Sequence, residues 1–191
     1  VSDPMTWMRL AGTAATFKLR EHADVLDTTT LRGVVLPSDL DFNLHVNNGR
    51  YLTLADLGRI DWFLRTGMLQ SGIKHRWRPI IATAAVRFSR SLKPWQRYEL
   101  RTNLLCWGDK WAFMEHRFFA RNRQGIEKLF ATVAIKGAFQ GREGVVTPTQ
   151  MMRALGADVA SPPQPQWITD WQRGEDQWRD DTRTEPDAVA A

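Results

Sequence analysis

An α+β fold in which a curled antiparallel sheet wraps one long helix is predicted by three features of this 191-residue chain. Residues 48–66 place apolar side chains on nearly every side of a helix, with Tyr51, Ala55, Gly58 and Trp62 along one line and Leu54, Leu57, Ile60 and Leu64 along another. A helix about 28 Å long with no polar face must be enclosed by other structure. Downstream, four segments between residues 80 and 139 carry the two-residue alternation of strands. The breaks at 107–110 and 122–125 are short and turn-like, so consecutive strands are expected to be antiparallel neighbours.

The elements follow in order. Residues 1–27 read as an N-terminal extension, with a short helix at 5–15 whose Trp7, Met8 and Leu10 lie either on the domain or on a membrane surface. The β-branched run 28–36 ends at Pro37 and reads as a first strand. Asn47 and Asn48 stand at the N-cap of the long helix and Gly67 at its C′ position. In the strand at 80–88, Ile80, Ala82, Ala84, Val86 and Phe88 share a face, and the two alanines leave room for Ala55 and Gly58. Tyr98, Leu100, Thr102, Leu104 and Cys106 line the next strand, and further strands are expected at 110–120 and 126–139. Thr147 and Pro148 open a short helix that Gly156 closes, which ends a domain spanning 28–156. Residues 157–191 begin with prolines and read as a tail, anchored in part by Trp167, Trp171 and Trp178 and mobile from Asp180.

Composition narrows the classes. With 43% hydrophobic residues the chain can build one domain with a real core. The single cysteine, Cys106, excludes an intramolecular disulfide and suits a reducing cytoplasm. No run approaches the ~20 apolar residues of an integral membrane segment, and Arg9 interrupts the only early apolar stretch, so no signal peptide is expected. The net charge of +5 is unevenly spread: from Asp170 onward there are seven acids against three arginines, which puts the preceding body at +9. A basic body attracts nucleic acid, an anionic membrane, or a phosphorylated carrier such as coenzyme A or phosphopantetheine. No nucleic-acid partner is expected, because no RNP-type segment, Cys/His finger or KH clamp accompanies the charge.

The stretch 38–48 holds two carboxylates, an imidazole and three amides immediately before the long helix. Asp39, Asp41 and Asn43 alternate with Leu40, Phe42 and Leu44, so an extended chain would separate polar from apolar groups. A calcium loop is excluded, since the required glycine and bidentate glutamate are replaced by Leu44 and Arg50. Turn formation by the aspartates, capping by Asn47 or Asn48, and a site all remain open on spacing alone.

Asp-Leu-Asp-Phe-Asn-Leu-His-Val-Asn-Asn-Gly-Arg-Tyr at 39–51 resembles the signature of hotdog-fold thioesterases of the 4-hydroxybenzoyl-CoA thioesterase type, and is closest in wording to the acyl-ACP thioesterase motif of plants and bacteria. The match is specific over thirteen positions and looser over 28–155. The resemblance implies a hotdog fold, Asp41 as the catalytic carboxylate and Asn43 and His45 as its companions. It also implies a homodimer, or a dimer of dimers, with the site at the subunit interface, and no cofactor or metal. Two departures stand out: many relatives carry glycine where Leu44 stands, and the acyl-ACP branch adds a downstream glutamate, whereas no carboxylate lies between Asp61 and Glu99 here.

Thioester hydrolysis needs a group aimed at the carbonyl carbon and dipoles aimed at the developing oxyanion. Asp41 can act as general base on water or attack directly. The helix start at Asn47, Asn48 and Gly49 can supply N–H donors, with Gly49 leaving room for an acyl group. His45 can orient the carbonyl or protonate the leaving thiolate, Asn43 can hold Asp41 or the water, and Tyr51 serves either packing or substrate contact. Arg87, Arg90 and Lys93 can meet the phosphates of an acyl-CoA or acyl-carrier-protein substrate. A hotdog hydratase or dehydratase and a non-catalytic acyl-binding protein are the competing readings.

Overall fold

Helix α2 (Asn48–Arg65) is the spine, and it is buried because its apolar residues leave no face to present to water. Asn47 caps it by accepting from the Gly49 N–H at 2.9 Å, and Gly67, at φ 79°, lets the chain turn out of it in the left-handed region. The computed structural model describes residues 4–16, 21–122 and 124–183. In chain order these hold α1 (Pro4–Thr16), β1 (Thr29–Val34), α2, α3 (Met68–His75), β2 (Arg78–Phe88), β3 (Arg97–Trp107), β4 (Ala112–Arg121), β5 (Glu127–Gly141), β6 (Gly144–Val146), α4 (Pro148–Leu155) and α5 (Gln166–Arg183). The sheet runs in the order β1-β3-β4-β5-β2, wholly antiparallel, with β6 added to β5.

One end of α2 packs Tyr51, Leu54, Ala55 and Leu57 against Leu100, Phe118, Val133 and Ile135 of the sheet. The other end packs Trp62 and Phe63 with Leu104, Met114, Phe139 and the Met151–Met152 pair of α4. Each such large side chain, fully buried, contributes about 1.5–3 kcal/mol before entropy is charged against it. His116 is also in this interior: its Nδ1 lies 2.9 Å from Thr102 Oγ1, Nε2 has no partner among the described residues, and burial, with the Arg59 charge, pushes its pKa down to about 3.

The strand order corrects two expectations. The meander holds for β3-β4-β5, but β2 joins the far side of β5 instead of neighbouring β3, and the 89–96 connection between them is hydrogen-bonded to Val35 and Val46 on the way. The close approach to α2 also comes from elsewhere. A Cβ on Gly58 would lie 2.5 Å from Thr102 Oγ1 and 2.8 Å from Leu100 Cδ2, so β3 is the strand that needs this glycine, while Ala82 and Ala84 are exposed. A register shift between Ile81 and Thr83 interrupts the single-face alternation expected of β2.

The tail is likewise more ordered than expected. Residues 166–183 form α5, which lies on the sheet face opposite α2: Ile168 is buried with Cys106 and Phe113, Trp171 packs edge-on to Phe113, and Glu175 binds Lys136 Nζ at 2.8 Å and the Thr83 hydroxyl. Trp178 is exposed, and helix continues through Asp180 to Arg183, where mobility was expected; residues 184–191 lie outside the described set. At the other terminus α1 directs Leu10 into the core and leaves Trp7 and Met8 exposed. No helix among the described residues is long and apolar enough to cross a membrane.

Candidate active site

The motif folds as a narrow hairpin and not as the extended alternating segment its pattern suggests. Leu40 and Val46 form a bridge, Asp41 N–H donates to His45 O at 2.9 Å, Leu44 N–H to Asp41 O at 3.1 Å, and Asn47 N–H to Asp39 O at 2.8 Å. The turn between these bonds reverses the expected sidedness. Phe42 and Leu44 point to solvent, at 95% and 66% exposure, and Asp39 is completely buried.

The two aspartates therefore meet different surroundings. Asp39 accepts a two-pronged pair from Arg9 of α1 (2.9 and 2.7 Å), two bonds from Arg50 of α2 (3.2 and 2.9 Å) and the Leu36 N–H (2.9 Å). Burial works to raise its pKa, but the bonds from Arg9, Leu36 and Arg50 and the charge of Arg9 outweigh it, and the carboxyl lies below its usual range. Asp41 is half-buried. One oxygen, Oδ1, accepts from the Asn43 N–H at 2.8 Å and the His45 N–H at 3.4 Å, while Oδ2 has no protein partner among the described residues. Such a carboxylate is held at one end and available at the other.

Leu44 makes that geometry possible at a cost. Its φ of 57° is in the left-handed region, where a leucine is disfavoured by about 1–2 kcal/mol. A glycine would adopt the same conformation freely.

Beside the hairpin stands the start of α2. The Asn47 N–H is used by Asp39 O and the Gly49 N–H by the Asn47 side chain, so of the three residues expected to offer donors only Asn48 keeps an N–H without an acceptor among the described residues. Gly49 has no atom but Asn47 Oδ1, at 3.3 Å, within 4 Å of a would-be Cβ, so its surface is open. An N–H without an acceptor at the positive end of a helix is able to meet a negative charge.

The remaining expected residues divide. The Asn43 side chain is exposed, and it is its backbone that holds Asp41. His45 is half-buried, with no hydrogen bond from its ring among the described residues. Tyr51 is 2% exposed, stacked edge-on with Phe88 and Phe118, and its hydroxyl accepts from the Leu92 N–H at 3.5 Å, which makes it a packing residue. The 89–96 connection lies against the hairpin through Val46 N–H to Leu92 O (3.1 Å), which brings exposed Lys93 near the motif. Arg90 donates to Leu129 O at 2.8 Å, and Arg87 is exposed on β2. Arg9, missed by sequence reasoning, left no signal there: it lies thirty positions before its partner and in no motif.

A separate small apolar cavity of about 50 Å³ opens between the C-terminal half of α2, the Pro79–Ile81 end of β2, and α4. Trp62, Met68, Ile80, Met114 and Met152 are among its walls.

Comparison with known proteins agrees with this architecture. Residues 35–172 match the family model of the thioesterase-like superfamily. The chain is 32% identical over 171 residues to Protein THEM6 of Xenopus laevis, covering 86% of this chain and 78% of that protein. Among solved structures, the probable thioesterase YbaW of Escherichia coli superposes with a TM-score of 0.59 at 16% identity, covering 66% of this chain and 95% of that one. A 4-hydroxybenzoyl-CoA thioesterase variant complexed with 4-hydroxybenzoyl-CoA superposes with a TM-score of 0.60 at 14% identity, covering 67% and 98%. The fold is thus the hotdog fold, and the chain belongs to the thioesterase-like superfamily, a family whose chemistry is thioester hydrolysis.

Proposed function

We propose that this protein is an acyl thioesterase that cleaves an acyl-CoA or acyl-carrier-protein thioester to the free acid and thiol, with Asp41 as its catalytic carboxylate. The observation that carries the reading is the Asp41 side chain, anchored through Oδ1 by two backbone N–H groups and open at Oδ2, in the hairpin that leads into the start of α2, where the Asn48 N–H has no acceptor among the described residues. In the favoured route Oδ2 takes a proton from water as its oxygen bonds to the thioester carbonyl carbon. The oxyanion that forms is met by the Asn48 N–H and the α2 dipole, and collapse breaks the C–S bond. The thiolate leaves with a proton returned from Asp41 or supplied by His45. Direct attack by Asp41 would instead give a mixed anhydride that water then hydrolyses.

Support for coenzyme A comes from the structural neighbour complexed with an acyl-CoA and from the basic residues Arg87, Arg90 and Lys93 on β2 and its connection. The lone thiol, Cys106, is buried and pushed up to about 11, as suits an unreactive cysteine in a reducing cytoplasm.

The site is read as shared by two copies. β2 is the end strand of the sheet and exposed along its length, the kind of edge that pairs with another chain. The hairpin that carries Asp41 lies toward the Phe88 end of β2, through the Val46 N–H to Leu92 O bond in the connection that follows Phe88, and the apolar cavity lies at the Pro79–Ile81 end. Antiparallel pairing of two β2 strands sets the cavity of one protomer beside the Asp41 hairpin of its partner, so that an acyl group held in one meets the carboxylate of the other.

Incubation with a panel of acyl-CoAs, with release of free thiol followed beside hydration of an enoyl-CoA, separates the readings. Thiol release that disappears in Asp41→Asn supports the proposal. Hydration without thiol release would make the protein a hydratase, and neither would leave an acyl-binding protein.

A further inference from the structure

Helix α1 lies outside the residues that match the family, yet it reaches into the motif. Arg9 spans from α1 to Asp39 with both terminal nitrogens, Nη1 to Oδ1 at 2.9 Å and Nη2 to Oδ2 at 2.7 Å, and Nη2 also donates to Val34 O at 2.8 Å. The guanidinium side chain is only 16% exposed and the carboxylate it meets not at all. Tyr98 lies alongside: its ring would touch a Cβ on Gly33, and burial raises its hydroxyl to about 12, so it is a neutral wall next to the charges.

Charge balance alone does not call for Arg9. Asp39 already has a cationic partner in Arg50, whose Nε and Nη2 both reach Oδ1 from the first turn of α2. That Arg50 bond ties the base of the hairpin to α2, and hence Asp41 to the Asn48 N–H. What Arg9 adds is geometry. Arg50 holds Oδ1 and the Leu36 N–H holds Oδ2, and the planar fork of Arg9 on both oxygens stiffens that arrangement and ties the Asp39 carboxylate to α1. Asp39 in turn carries the hairpin, because its own carbonyl accepts the Asn47 N–H at 2.8 Å, and Asp41 is two residues farther on.

We infer that α1 is part of the active-site scaffold, and that Arg9 is a positioning residue which, through Asp39, sets the distance and angle between the Asp41 carboxylate and the N-terminus of α2. The inference rests on the assignment of Asp41 as the reacting carboxylate. A displacement of about 1 Å between a catalytic group and its reaction partner can cost on the order of 10²-fold in rate.

The test compares Arg9→Met and Arg9→Lys with the unaltered protein and with Asp41→Asn, using the acyl-CoA that the unaltered protein turns over fastest. Arg9→Met should lower kcat by about 10- to 100-fold with KM changed less than about threefold, because the substrate contacts remain. Millimolar guanidinium ion should restore part of the lost kcat, and Arg9→Lys, a point charge without the fork, should fall between. Hydrogen exchange is read in parallel at the Asn43, His45 and Asn47 amides, which hold the hairpin: it should quicken in Arg9→Met while exchange in β3 and β4 stays unchanged.

Wild-type kcat and unchanged hairpin exchange in a folded Arg9→Met, with only a lower Tm, would overturn the inference and make the pair simply structural. If Arg9→Met does not fold, Arg9→Lys decides by the same two readouts. Failure of the function itself looks different, as Asp41→Asn would then hydrolyse like the unaltered protein, or no acyl-CoA would be hydrolysed. In the latter case the exchange of the three amides still decides whether Arg9 holds the hairpin.

Discussion

Asp39 and Asp41 are two residues apart and chemically identical, yet one is sealed under two arginines and the other presents an oxygen to solvent. The difference comes from the hairpin turn, which directs the first side chain toward α1 and α2 and leaves the second at the rim. A buried carboxylate whose every lone pair is engaged is an anchor. One with an oxygen left open is free to react, and under the proposed function stability and catalysis are divided between these neighbours.

That division can be broken at either residue. Asp39→Asn keeps the shape but leaves two guanidinium groups facing an amide, and removing one partner of a buried charge cluster costs about 3–5 kcal/mol. Chemical denaturation should show a loss of that size. A variant as stable as the parent would mean that the arginines find other acceptors and that Asp39 is no anchor. Because the folded-state pKa of Asp39 is depressed, its contribution is present above the ordinary carboxylate range and is lost as pH falls through the lower folded value.

Asp41→Asn should behave in the opposite way: kcat for thioester hydrolysis falls by at least about 10²-fold while Tm stays close to that of the parent, since only the half-exposed end of the side chain is altered. Equal losses of stability at Asp39 and Asp41 would erase the contrast, and near-parental turnover by Asp41→Asn would remove it from the mechanism.

His116 is neutral in the fold with a pKa near 3, against an ordinary value of 6.5. The unfolded chain therefore binds a proton that the folded chain refuses, and stability falls by up to about 1.4 kcal/mol per pH unit as pH drops below about 6.5 toward 3. In His116→Gln that single-proton slope should vanish from the pH profile of unfolding. Identical profiles for the two proteins would assign the acid sensitivity to other groups.

The smallest effect is expected at Leu44. Its left-handed backbone is strained and its side chain largely exposed, so Leu44→Gly should raise stability by about 0.5–1 kcal/mol, the relief of strain exceeding the greater freedom of glycine in the unfolded chain. A fall in Tm would show that the exposed leucine makes a contact worth more than its strain.

Much of this was legible beforehand. The apolar circumference of 48–65 required an enclosed helix, Asn47 and Gly67 marked its ends, and short turns joined β3, β4 and β5. Each of these depends on residues within a few positions of one another. The thirteen-residue motif pointed to the region of the proposed site and, by resemblance, to Asp41. Its local alternation nevertheless misled, because backbone bonds across the hairpin turned Phe42 and Leu44 outward against their hydrophobicity.

Long-range partnerships were written nowhere in the pattern. The pairing of β2 with β5 joins segments about fifty residues apart, α5 finds its place through Glu175 on Lys136 and Thr83, and Arg9 reaches Asp39 across thirty positions. Local propensity and hydrophobic period fix which segments become helix or strand, because those energies arise between near neighbours. Which strand is an edge, which carboxylate is buried and which N–H is left open depend on what else folds against them, and those choices are made only when the chain packs.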